Sequence, residues 1–251
     1  MLVKEAVKHT GSLGKTKKMP GKSYGISARH CNIGMKLAKV ENTVCEKCYG
    51  LWGFYMMPNV IKAQDKRLDL MLNDPLWEDA QVVQIRMLKM PYFRWFDDGD
   101  LQSVYNLERI VRVCERTPSI HHWLPTKEYQ LVAEFLLKGG KIPENLSLRL
   151  SGYKFDDPPP KFRYGHVLSQ LQTSTATHLD ENEQPVAVHG HLCPAHWQKG
   201  ECGDCRACWN KEVPNVTYVD QRQKIKAVSY THLRAHETRE DRVCRRVGGK
   251  K

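Results

Sequence analysis

The sequence predicts an α/β fold of parallel β/α repeats, a partial or full (β/α) barrel with cysteine-rich N- and C-terminal loops. Three observations predict it. Strand-like and helix-like runs alternate through residues 92–150 in a β-α-β-α-β rhythm, which implies parallel strands joined by right-handed crossovers. Capping and turn residues punctuate that rhythm where elements end. A chain of 251 residues with 41% hydrophobic content suffices for one substantial core.

The elements follow in order. Residues 1–22, rich in Lys, Gly, Ser and Thr and without periodicity, read as a mobile leader. Residues 23–31 form a first strand leading into a cysteine loop. A helix spans residues 58–73, with Val60, Ala63, Leu68, Met71 and Leu72 on one face. Asp74-Pro75 starts the next helix, an N-cap carboxylate followed by proline at the first helical position. Residues 92–96 are a short aromatic strand and residues 97–100 a turn. A helix over 103–116 buries Val104, Leu107, Val111 and Cys114, so Cys114 is a packing residue. Residues 120–124 are a second strand. Thr126 caps a helix striped by Tyr129, Val132 and Leu136, and Gly139-Gly140 ends it. Leu146, Leu148 and Leu150 alternate as a third strand. Asp157-Pro158-Pro159-Pro160 is a rigid loop, and residues 167–173 and 184–188 are weaker strand candidates.

The domain is expected to cover residues 23–226, with a metal-binding segment at 189–218. Residues 227–251 lack apolar periodicity, and their AVSYTHLRAHETREDRVCRRVGGKK reads as the translation of a sequencing adapter. Cys244, His232 and His236 are therefore set aside from any site. The formal net charge is +11, from 39 Lys and Arg against 28 Asp and Glu. Such a balance is compatible with weak binding to nucleic acid or acidic partners, and fits a solvated basic surface somewhat better. No apolar run reaches the length of a membrane span, and residues 1–20 lack a secretory stretch, so a cytoplasmic protein is expected. In that compartment, clustered cysteines read as metal ligands rather than disulfides.

Seven of the nine cysteines fall in two clusters. The first is Cys31 with the C-x2-C pair Cys45 and Cys48. Three thiolates without a fourth suit a 4Fe–4S cluster with one iron open; a zinc site would need His30 or a carboxylate as fourth ligand. The second is Cys193 with Cys202, Cys205 and Cys208. Its C-x2-C-x2-C run is the tight spacing of ferredoxin-type iron–sulfur ligation, with four-thiolate zinc as the alternative. Three plus four thiolates match one open and one fully ligated cluster; a single shared site would leave thiolates over. His189, His191 and His196 lie near the second group and read as loop residues.

The runs SYGISARHC, VCEKCYG, YFRWFDDGDLQSVYNLERI, HHWLPTKEY and CGDCRACW resemble, in this order, the phage gene product 88 family over residues 22–218. That resemblance implies a phage protein acting in the host cytoplasm. The cysteine loop ending in C-x2-C-Tyr before β/α repeats also resembles radical S-adenosylmethionine proteins. There, three cysteines after the first barrel strand hold a 4Fe–4S cluster whose open iron chelates S-adenosylmethionine, and reduction yields a 5′-deoxyadenosyl radical. The family spacing is C-x3-C-x2-C, whereas thirteen residues separate Cys31 from Cys45 here.

On that resemblance Asp98, Gly99 and Asp100 would bind the cofactor's ammonium or ribose, although Asp100 also suits a helix N-cap. Lys127, Arg149 and Ser151 stand at other strand ends, where they could meet a substrate. Trp95 and Phe96 suit core packing better than base stacking. The expected function is an iron–sulfur protein with radical-type chemistry on an unknown, nucleic-acid-linked substrate. The rival is a zinc-stapled basic protein that contacts nucleic acid or a host factor without catalysis.

Overall fold

Parallel strands dominate the architecture. The computed structural model describes residues 1–16, 18–162 and 165–220. Seven strands form one sheet: β1 (Lys22–Tyr24), β2 (Tyr92–Trp95), β3 (His121–Thr126), β4 (Leu146–Phe155), β5 (Gln172–Thr177), β6 (His191–Leu192) and β7 (Asn215–Val219). Their spatial order is β1-β2-β3-β4-β5-β7-β6, and every ladder is parallel. The helices are α1 (Val3–Thr10), α2 (Asn32–Leu37), α3 (Pro58–Asn73), α4 (Trp77–Arg86), α5 (Val104–Glu115), α6 (Tyr129–Leu137) and α7 (Gly165–Leu168). The expected β/α repeat is present. Among the described residues no ladder joins β1 to β6, so the sheet has the open form of the barrel.

Side chains alternate between the two faces of a strand, and here the two faces have different partners. One face presents Tyr24, Phe93, Trp95, Leu124, Leu146, Leu148 and Leu150 to Met71, Trp77, Ile85, Leu107, Ile110, Val132 and Phe135 of α3–α6, which makes the main core. The other face carries Tyr92, Trp123, Val216 and Tyr218, and the cysteine-rich segment with Ala207, Cys208 and Trp209 packs there. In a β/α barrel the face away from the helices is the interior. The second cysteine loop therefore fills the space that barrel side chains would otherwise fill.

Several expectations hold to the residue. The helix over Pro58–Asn73 has the expected bounds, Ser103 accepts a bond from Asn106 N as the N-cap of α5, and Cys114 is fully buried in the core. Gly139 ends α6 with φ +87°, a backbone that side-chain-bearing residues rarely adopt. Trp95 and Phe96 are core residues.

Others are corrected. Residues 3–10, read as part of a leader, form α1, which buries Ala6 and Thr10. Tyr24 OH donates to Thr10 O at 2.9 Å, and His9 Nδ1 lies 2.9 Å from Asp74 Oδ2. The stripe Ala6-Val7-Thr10 is too small and polar to register as apolar periodicity. Helix α4 starts at Trp77 rather than Pro75, because the Asp74 carboxylate accepts from Leu76 N and turns the chain first. Residues 167–173 divide between α7 and the start of β5, and residues 184–188 contribute only an isolated bridge between Leu179 and Pro185. The reading of residues 227–251, with Cys244, lies outside the described residues.

Candidate functional site

The loop that carries Cys31, Cys45 and Cys48 lies across the carboxyl ends of the strands, and named bonds hold it there. Thr43 pairs with Lys154 of β4 in an antiparallel bridge, and Val44 N donates to Tyr153 O at 2.9 Å. Ile26 N donates to Asp98 O, and Ile33 N to Glu128 Oε1 at 2.8 Å. Tyr49 OH reaches Asp97 O. The loop thus touches the ends of β2, β3 and β4, which is where β/α enzymes place their chemistry.

Within the loop, Gly34 of α2 lies close against two of the cysteines. The point a Cβ would occupy at Gly34 lies 3.5 Å from Cys31 Sγ and 3.8 Å from Cys45 Sγ, and only 2.9 Å from Cys31 Cβ. All three cysteines are half-buried. Burial is the main cause raising the Cys31 thiol, and the charges of Asp100, Cys48, Asp98 and Cys45 push it further. Cys45 and Cys48 are raised by burial as well. Thiols in such surroundings ionise only when a nearby cation compensates the charge.

Asp98 and Asp100 are buried beneath this loop. Asp98 Oδ2 accepts from Gln64 Nε2 at 2.9 Å, and burial raises its carboxyl to about 6. Gly50, two residues after Cys48, packs so closely on Asp98 that a Cβ would collide with its carboxylate. Asp100 is no helix N-cap. It accepts from Leu101 N, Thr126 Oγ1 and Lys127 N at 2.6–2.9 Å, and so ties the end of β2 to the end of β3. Thr126 also accepts from Glu128 N, but it ends β3 and is not the cap expected of it: α6 starts at Tyr129 with Glu128 in the N-cap position. Gly99 has φ +83° and lies against the Ile26 carbonyl, a contact that no side chain would permit. Beside α2, Ile33, Glu128, Tyr129, Tyr153, Lys161 and Phe162 line a cleft of about 190 Å³. Tyr129 and Tyr153 stack there with centroids 4.8 Å apart.

The second loop is fastened from below by Arg149, whose orientation the alternation of β4 had left open. Its guanidinium is fully buried and donates to five carbonyls: Cys208, Thr173, Val213, Ala207 and Asn210, at 2.7–3.2 Å. Trp209 Nε1 donates to Phe93 O, and Cys193 N to Thr217 O. Cys208 Sγ lies 3.1 Å from Tyr218 OH, and His191 Nε2 lies 3.3 Å from Cys205 Sγ. Burial pushes the Cys202 thiol up to about 11 and the Cys208 thiol up to about 12. Arg94 stacks on Trp123 at 4.4 Å. It lies within electrostatic reach of Tyr49 and Asp97 on one side and of Tyr218 and Cys208 on the other. Its Nε is buried without a hydrogen-bond partner.

Sequence reasoning missed Arg94, Glu128, Gln64 and Tyr218. A charged residue inside the aromatic strand YFRW was a usable signal for Arg94; the other three had none. Ser151 accepts a hydrogen bond from Ser174, and Lys127 adds positive charge near Cys45. Among the described residues, no group of three or more His, Cys, Asp or Glu side chains is arranged to hold a metal ion. No described helix is long and apolar enough to cross a membrane.

An open parallel β/α barrel with one cysteine loop across its strand ends and another inside its sheet defines a cysteine-rich α/β protein. The model of the gene product 88 family matches residues 2–211, and the chain belongs to that family. Neither a curated protein nor a solved structure gives a significant match.

Proposed function

We propose that this protein is an iron–sulfur enzyme of the radical S-adenosylmethionine type. Cys31, Cys45 and Cys48 would hold a reactive 4Fe–4S cluster, and Cys193, Cys202, Cys205 and Cys208 a second, auxiliary one. The observation that carries the reading is a three-thiol loop, with no fourth cysteine, seated across the carboxyl ends of parallel strands. The close approach of Gly34 to both Cys31 and Cys45, which leaves no side chain beside their sulfurs, supports it. So does the charge around the second loop. Arg149 is buried there and Arg94 is half-buried, and neither forms a salt bridge with a carboxylate among the described residues, although Asp97 lies within electrostatic reach of Arg94. Two such cations favour an anionic occupant, and a thiolate-ligated cluster is one.

That no group among the described residues is fitted to one ion weighs more against zinc than against a cluster. Ligands of one zinc converge on a point, whereas the thiolates of a four-iron cluster each take a different iron. When bound, a cluster with an open iron supplies an electron and a coordination site to S-adenosylmethionine. The chain's own residues would do the positioning. Asp98 and Asp100 each already accept three hydrogen bonds, so each keeps about one lone-pair site for the cofactor's ammonium. Lys161 and Glu128 in the adjoining cleft would meet the substrate.

Anaerobic purification tests this reading. A brown protein with about eight irons per chain is expected, and with reductant and S-adenosylmethionine it should release 5′-deoxyadenosine. A colourless protein with stoichiometric zinc would instead support the basic, zinc-stapled binding protein. A fully loaded sample that leaves S-adenosylmethionine intact would remove the enzyme.

A further inference from the structure

The three-cysteine loop runs directly into an exposed aromatic surface. Trp52 is 66% exposed and Phe54 67%, and Tyr49, Met56 and Met57 are exposed beside them. Two short 3-10 turns, Tyr49–Leu51 and Gly53–Met56, carry these side chains, with Trp52 between them and Met57 directly after. Gly53, the first residue of the second turn, has φ +56° and open space where a side chain would point. Tyr55 lies behind the patch, 5.6 Å from the Tyr49 ring and edge-on to Phe54 at 6.4 Å. A contiguous exposed patch of this kind marks an interaction site rather than ordinary surface.

Its surroundings select the partner. Arg29, Lys36, Lys39, Lys47, Lys62 and Lys66 are all exposed on the segment that holds the patch. The same segment has three acids, and two of them are engaged internally: Asp65 with His30 at 2.8 Å, and Glu46 with Asn42 N at 2.9 Å. A second copy of this chain would bring the same positive charge against itself, which disfavours a symmetric contact. A polyanion fits. Exposed rings set among lysines are how proteins hold single strands: bases stack on the rings and phosphates meet the cations, while a duplex keeps its bases stacked away.

We propose that Trp52 and Phe54 form a stacking platform for single-stranded nucleic acid, and that this polymer is the substrate presented to the Cys31–Cys45–Cys48 loop. The substrate half rests on the function proposed above; the binding half does not.

The test uses the full, anaerobically purified chain and a labelled oligothymidylate of about twelve nucleotides, read by fluorescence polarisation. Trp52→Ala and Phe54→Ala lie at exposed positions that the fold does not need. Each should weaken binding at least about fivefold, with iron content unchanged. The logarithm of the affinity should fall linearly with the logarithm of salt concentration. Equal affinity of the double variant and the parent overturns the platform. So does a duplex that binds as tightly as the single strand. Phosphatidylglycerol vesicles that retain the parent but not the double variant, with the oligonucleotide bound by neither, would convert the patch into a membrane-contact surface and also overturn it. If the variants lose the oligonucleotide while the parent leaves S-adenosylmethionine intact, the platform stands and the enzyme reading falls.

Discussion

Arg149 Nε donates to the carbonyl of Cys208 at 3.0 Å, from a strand in the middle of the sheet to a loop fifty-nine residues later. The other four guanidinium N–H groups are also spent on carbonyls, three of them in residues 207–213. All five donors of the side chain are used, and none goes to a carboxylate. This one residue sets the position of the C-x2-C-x2-C run against the sheet, so the geometry of the second thiol group depends on β4.

Arg149→Met should therefore cost more than about 3 kcal/mol in urea unfolding, because it leaves several buried carbonyls without donors. Arg149→Lys should recover only part of that, since an ammonium cannot fan out to five acceptors. If Arg149→Lys is as stable as the parent, Arg149 is not the anchor described here.

His122 sits on the helical face of the sheet, fully buried, stacked on Trp95 with centroids 6.0 Å apart and 2.9 Å from Thr117 Oγ1. Burial lowers its imidazole from the usual 6.5 to about 3, and His121 adds to the shift. Between those two values the unfolded chain binds the proton and the folded one does not. Stability is therefore unaffected by this group above about pH 6.5 and falls as pH drops from there toward 3, by up to about 1.4 kcal/mol per unit. His122→Phe keeps the ring on Trp95 and should flatten that part of the profile in denaturant melts at stepped pH. An unchanged slope in the variant would assign the acid sensitivity to other groups.

What could be read from the sequence and what could not follows from how each element is written. Helix α5 and strand β4 declare themselves, because leucine, isoleucine and valine recur at the period of their geometry. Strand β5 reads QTSTAT and hides for the opposite reason. Its buried face is satisfied by hydroxyls: Thr173 bonds Asn215, Thr175 bonds Thr217, and Thr177 bonds Asp156. A buried polar strand is stable only beside a partner that completes those bonds, and the partner β7 is forty residues away. The candidate site divides the same way. The cysteine spacing was legible locally, and so was the charge of Arg94 in its aromatic strand, whereas the roles of Arg149 and Glu128 lie in segments far away in the chain and carry no local signature.

Gly34 is the residue whose replacement probes the first loop most directly. A methyl there would stand 2.9 Å from Cys31 Cβ and within 3.5 and 3.8 Å of the Cys31 and Cys45 sulfurs. Alanine favours a helix more than glycine does by about 1 kcal/mol, so Gly34→Ala in α2 should not unfold the chain. The expected result is a loss of about half the iron with circular dichroism unchanged, since the second loop is untouched. Full iron retention would mean that the space at Gly34 is not where a metal group sits.

The two loops should also load independently. They are held by different anchors, Glu128, Asp98 and β4 for the first and Arg149, Phe93 and Thr217 for the second. Cys45→Ala should remove about four irons and abolish any 5′-deoxyadenosine release, leaving the visible absorption of the other cluster. Cys205→Ala should remove about four irons as well, but it should also lower the melting temperature, because the loop it loosens covers one face of the sheet. Two variants that each lose all the iron would point instead to one shared site. Arg94, within electrostatic reach of Tyr49 beside Cys48 and of Cys208, is the residue through which such a shared site would have to be built. Arg94→Met, read by the same iron count, distinguishes the two arrangements: independent loops keep most of their iron, and a shared site loses it.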